Sequence, residues 1–183
     1  MSFKILIDNI IIPLLNENFV EVNGLNDNLR TFNNKKEKIE ITLGMNSTQG
    51  GELVLYLNNS GESYDLEDLI ALTEVHIPTY MTNENILYES VKKIKTILSY
   101  ENHALLTGSK RVYKKLKKIR DNRIDEFNKK KEVDNVITEA NYFWANKNYQ
   151  NYVNTVGPHL KKLPLLFSKR FNLAKRKLNG INN

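Results

Sequence analysis

Three histidines, His76, His103 and His159, are the first residues to weigh for chemistry, and their spacing argues against it. They stand far apart in the chain, and none has a carboxylate or a second histidine three or four positions on. A zinc centre needs converging ligands, usually with a short-range pair from one element. No metal site is therefore expected. Cysteine is absent, which removes thiolate ligands, thiol nucleophiles and disulfides. The loop from Gly44 to Gly51 bears glycine and follows a strand pattern, but it holds no lysine and leads into another strand. A phosphate-cradling loop carries Gly-Lys-Ser/Thr and feeds a helix, so that amides and helix N-terminus face the phosphate. We read a hairpin loop, and we expect no catalytic residue, no cofactor and no enzymatic activity.

Two charged clusters remain. Glu62, Asp65, Glu67 and Asp68 fall close together, and carboxylates so placed can share a proton or hold a hard cation. The simpler role is a helix start, with Asp65 as N-cap and Glu67 and Asp68 complementing the dipole of the first turn. As a partner surface, Glu62, Glu67 and Asp68 would steer a basic protein, with Tyr64 as an aromatic anchor among them. The second cluster is the dense basic run of Lys110, Arg111, Lys114, Lys115, Lys117, Lys118, Arg120 and Arg123. Neutralising phosphates would release counterions, with Lys114, Lys115 and Lys118 as the contact residues. A solvated helix face competes with that role, because Tyr113 is the one aromatic in the run and no nucleic-acid motif frames it.

The elements that must position these clusters follow from periodicity. Leu6, Ile10 and Leu14, beside Ile7, Ile11 and Leu15, predict a kinked helix, or two short ones, over Phe3 to Phe19, interrupted where Pro13 removes a donor. A polar turn at Asn23-Gly24 follows. Ile39, Ile41, Leu43 and Met45 alternate with polar residues, and Leu53, Leu55 and Leu57 alternate with Val54, Tyr56 and Asn58. The two runs predict an antiparallel hairpin. A shorter strand at Leu29 to Asn33 pairs with the first, giving a sheet of about three strands that needs the N-terminal helix across its apolar face. Helices follow after Asp65, after Thr82 as cap, from Val112 through Phe127 with a continuation or restart at Val133 to Trp144, over Tyr149 to Val156, and over Leu165 to Leu178. On the last, Leu166, Phe167, Phe171, Leu173, Ala174 and Leu178 supply the apolar positions. Tyr142, Phe143, Trp144, Tyr149 and Tyr152 straddle the Asn146-Lys147-Asn148 turn and should pack as the core of a helical hairpin. The fold class is α+β: an N-terminal helix on a small antiparallel sheet, then a mostly helical part. We expect a single domain over 1–183, with a helix and β-hairpin part at 1–108 and a basic helical part at 109–183.

The chain has 183 residues, 40% hydrophobic and 26% charged, the balance of an ordinary globular protein. Its net charge of +6 conceals an asymmetry. Residues 1–91 carry 5 Lys and Arg against 14 Asp and Glu, and residues 92–183 carry 22 against 7. Such halves present opposite potentials to partners, or attract each other in the fold. The most apolar stretch, Phe3 to Leu15, contains Lys4, Asp8, Asn9 and Pro13 and is too short and polar to span a bilayer. It has no small-residue cleavage site. A cytoplasmic location and no membrane partner are expected.

Three stretches carry a resemblance. They are Leu53-Val54-Leu55-Tyr56-Leu57 with Ser63-Tyr64-Asp65-Leu66-Glu67-Asp68-Leu69, then Ala104-Leu105-Leu106-Thr107-Gly108, then Ala140 to Val156 with Trp144, Asn148-Tyr149 and Val153, closing on Ala174-Lys175-Arg176. Together they resemble small bacterial proteins that accompany polymorphic toxins as immunity partners. The resemblance implies a protein-binding module whose partner is a cognate toxin, and it carries no functional residue across. The alternative is a nucleic-acid-binding accessory protein using the basic C-terminal helices.

Overall fold

The computed structural model describes residues 2–22, 27–46, 51–78 and 80–180. The expected turn at Asn23-Gly24 and the middle of the loop between Gly44 and Gly51 lie outside them. Helix α1 (Phe3–Leu6) starts where the Ser2 hydroxyl accepts from the Ile5 N–H. It widens into a π turn over Ile7–Ile11 and closes as a 3-10 turn over Ile12–Leu14. Pro13 sits in that last turn, where its missing N–H and its ring stop a regular helix. The segment ends at Leu14, short of the expected Phe19, with Phe3, Leu6, Ile7 and Ile11 buried.

The sheet is an antiparallel meander of five strands in chain order: β1 (Val20–Glu21), β2 (Leu29–Asn34), β3 (Ile39–Asn46), β4 (Glu52–Asn59) and β5 (Glu62–Tyr64). The expectation of about three strands missed the two edge strands, which at two and three residues are too short to show a period of two. Ile41 lies opposite Leu57 and Leu43 opposite Leu55, and all four are buried. Ser60 and Gly61, at φ 51° and 88°, make the tight turn from β4 to β5. Positive φ at both central positions matches the right-handed strand twist.

Asp65 caps α2 (Leu66–Thr73). Helix α3 (Glu84–Leu98) is capped by Asn83, whose side chain accepts from the Ile86 N–H at 3.0 Å, rather than by Thr82. A short turn, α4 (Tyr100–His103), holds Glu101, Asn102 and His103 at positive φ. Gly108 (φ 71°) then reverses the chain where a Cβ would meet Glu37 Oε2 at 3.2 Å. Helix α5 (Lys110–Ala145) runs 36 residues without interruption, so the stripe continues through Val133 rather than restarting.

The described chain divides into two compact units, Met1–Asp121 and Asn122–Asn183. The division falls inside α5, not at the Gly108 break that separated the expected parts. The core of the first unit joins Phe3, Ile7 and Ile11, the inward residues of β3 and β4, Val91 and Ile94 of α3, and Val112 and Leu116 of α5. The second contains the rest of α5, α6 (Tyr149–Val156), a 3-10 stretch over Gly157–Lys162, and α7 (Leu165–Leu178). Its core is Ala140, Tyr152, Val156, Leu163, Phe167, Phe171 and Ala174. Trp144 packs edge-on against Tyr149 and Tyr152 at 5.7 and 5.2 Å, as the hairpin expectation requires, whereas Tyr142 is exposed. On α7 only Phe167, Phe171 and Ala174 of the expected stripe are buried; Leu166, Leu173 and Leu178 face outward. No helix among the described residues is long and apolar enough to cross a membrane.

Candidate polyanion-binding face

Of the expected partner surface, three residues are used by the fold. Tyr64, at the end of β5, is 2% exposed, with its ring 5.9 Å from that of Tyr113 and the Arg120 guanidinium 5.0 Å above it. Burial raises its hydroxyl pKa. A ring sealed in the core cannot anchor a partner. Asp68 is also 2% exposed. Its Oδ2 accepts from the Asp65 N–H at 3.2 Å while its own N–H donates to Asp65 Oδ1 at 2.9 Å, a reciprocal capping box that satisfies two free amides. Glu62 is ion-paired with Lys117 and Arg120 of α5. The Lys117 hydrogen bond, then that of Arg120, holds its carboxyl below the usual range. Glu67 alone stays exposed on α2. Glu62, Tyr64, Glu67 and Asp68 therefore do not form one steering surface, because burial, capping and pairing with α5 absorb the other three.

The same pairing sorts the basic run. Lys117 and Arg120 meet Glu62, and Arg111 meets Glu101. Lys110, Lys114, Lys115 and Lys118 are exposed, with no ion pair or side-chain hydrogen bond among the described residues. At about 100° per residue, these four span an arc of about 140° on α5. Val112, Leu116 and Ile119 hold the opposite side against the core. Lys110, Lys114 and Lys118 form one row at i, i+4 and i+8, about 12 Å long at about 1.5 Å per residue. Tyr113 is buried and its hydroxyl donates to the Leu105 carbonyl at 2.8 Å. The one aromatic of the run is thus core, and the face offers cations without a stacking platform. Lys114, Lys115 and Lys118, the contact residues expected from the sequence, all lie exposed on this face.

The histidines do not converge. His76 is exposed, His159 Nδ1 lies 3.3 Å from Glu132, and His103 Nε2 is buried with no hydrogen-bond partner among the described residues. Nor do three His, Asp or Glu side chains meet as metal ligands among the described residues. A cleft of about 210 Å³ opens beside β4, lined by apolar residues that include Leu53, Leu55, Leu66 and Ile70 and by the carboxylates Glu52, Asp65 and Glu67.

No protein-family model, no curated protein and no solved structure matches this chain.

Proposed function

We propose that this protein is a non-catalytic binding module that holds nucleic acid by its phosphate backbone through the outward face of α5. The carrying observation is that Arg111, Lys117 and Arg120 are consumed by Glu101 and Glu62, whereas Lys110, Lys114, Lys115 and Lys118 stay exposed along one helix side with no ion pair among the described residues. A duplex presents one negative charge per about 1.7 Å of axis, so a row of about 12 Å meets phosphates along its whole length. With no aromatic exposed in the run, the contacts position the strand and carry no sequence information. In this reading the protein works in the cytoplasm and brings no chemistry of its own. The test is duplex binding by fluorescence anisotropy at several salt concentrations, with Lys114, Lys115 and Lys118 replaced together.

The immunity-type inhibitor is the second reading, favoured by the cleft beside β4. A lining that mixes leucines with carboxylates suits one apolar side chain flanked by lysine or arginine, the pattern of an interface anchor with steering charge around it. Glu67→Lys should then slow association with a basic toxin at least several-fold. Unchanged association kinetics would remove this reading.

A further inference from the structure

From Ala140 to Asn183 the chain carries eight Lys and Arg and no Asp or Glu. Within that acid-free stretch, α7 turns leucines to solvent. Leu165 is 70% exposed and Leu166 52%, side by side after Pro164, and Leu173 follows two turns later. At about 100° per residue, Leu166 and Leu173 fall within about 20° of each other, roughly a quarter-turn or more from the buried Phe167, Phe171 and Ala174. Lys169 and Arg176 share this outward face and Lys161 precedes it; all three are exposed, without an ion pair or side-chain hydrogen bond among the described residues. Arg170 and Lys177 lie along the flank, over the rings of Trp144 and Tyr149 at 5.2 Å each.

We infer that the outward face of α7 docks on an anionic phospholipid surface, with Leu165, Leu166 and Leu173 entering the headgroup–acyl boundary and Lys161, Lys169 and Arg176 meeting the lipid phosphates. Exposed leucines among cations on a surface helix are the composition of interfacial binding, and clusters of four to eight Lys and Arg on such a helix favour anionic lipid. A nucleic acid would have no use for the leucines, which offer no π face for a base to stack on. A second copy of this helix would be repelled by the same charge. A bilayer also needs no groove shaped to the convex face of a helix. The expectation of no membrane partner rested on Phe3 to Leu15 being too short and polar to span and on its missing cleavage site, and a helix that lies in the interface needs neither a span nor a signal peptide. The second unit carries this face by itself, and the lysine row of the first unit takes no part in it.

The experiment is co-sedimentation of the full chain with vesicles of phosphatidylcholine alone and of phosphatidylcholine with phosphatidylserine as the minor lipid. Binding to the anionic vesicles and much weaker binding to the neutral ones is expected. Lys169→Glu with Arg176→Glu should lower partitioning at least 25-fold, since each surface cation contributes about fivefold. Leu165→Ser with Leu166→Ser should lower it about tenfold or more, with Tm and duplex-DNA binding unchanged because both side chains are exposed. No sedimentation with anionic vesicles at physiological salt would overturn the inference, and so would a leucine variant that binds as the parent does. DNA binding that falls with the leucine variant would place nucleic acid on this face instead.

Discussion

Replacing Lys114, Lys115 and Lys118 by alanine tests the α5 face with a number attached. The face offers four exposed cations, counting Lys110, with no ion pair among the described residues, so up to four phosphates can be neutralised. The slope of log K against log salt should then be about −3.6 for the parent, at about −0.9 per phosphate on duplex DNA. Between about 50 and 200 mM salt the parent should lose affinity roughly 150-fold, and the triple variant, with a slope near −0.9, only about fourfold. The fold should not suffer, because alanine is the best helix former and the three positions are exposed. Lys117→Ala is the internal control: it removes a cation already committed to Glu62 and should leave the slope unchanged, with little effect on stability because a solvent-exposed ion pair is screened. Anisotropy titrations at four salt concentrations, with two unrelated duplex sequences, read all of this. A parent slope shallower than about −2, or a triple variant that keeps the parent slope, would refute the assignment of these lysines. Discrimination between the two duplexes would refute the claim that only the backbone is held.

Asp68→Ala should lower stability by about 1 kcal/mol, the cost of losing half of a capping box, seen as a shift in the urea midpoint. A neutral outcome would mean that the Asp65 cap suffices without it. Acid sensitivity should come in part from Glu21, whose carboxylate accepts from Arg30 Nε at 2.7 Å and Nη2 at 2.6 Å. That hydrogen bonding holds its folded pKa below the ordinary value, so the stabilisation is complete above the unfolded carboxylate range and is lost as pH falls through the folded pKa. Because this side chain is 36% exposed, screening limits the contribution to about 0.5–1 kcal/mol. Glu21→Gln should forfeit it at pH 7 and show a shallower loss of stability on acidification, measured by chemical denaturation at a series of pH values.

What the sequence makes legible follows the length of the pattern in each element. The long strands β3 and β4 declare their inward faces through alternation, and Ile39, Ile41, Leu43, Leu53, Leu55 and Leu57 are all buried as expected. The turn at Asn146 to Asn148 and the span of α7 are equally readable, from turn chemistry and helical spacing. Edge strands as short as β1 and β5 carry no periodic signal, and β5 exists because the Ser60-Gly61 turn returns the chain alongside Leu57. On α7, a search for apolar residues alone does not separate Phe167, Phe171 and Ala174 from Leu166 and Leu173. The separation is available in the angle, since a residue next in sequence lies about 100° away around the helix.

The candidate site is harder to read for a different reason: cluster membership in sequence does not say which charges are already spent. Glu62 is distant from Lys117 and Arg120 in the chain, yet it meets both. Two long-range ion pairs thus cancel an apparent acidic steering group and two members of an apparent basic patch at once. Tyr64 goes the same way, because its place on β5 turns it inward against Tyr113 and beneath Arg120. Net charge by halves therefore overstates both surfaces, and the acidic one more, since capping at Asp65 and Asp68 draws on the same cluster. What that cancellation leaves is an exposed lysine row on α5 and a basic, leucine-bearing face on α7. Only charges that the fold has left unpaired can exchange counterions for a ligand's phosphates. On that ground the four exposed lysines of α5 outrank the acidic cluster as the proposed phosphate-binding surface.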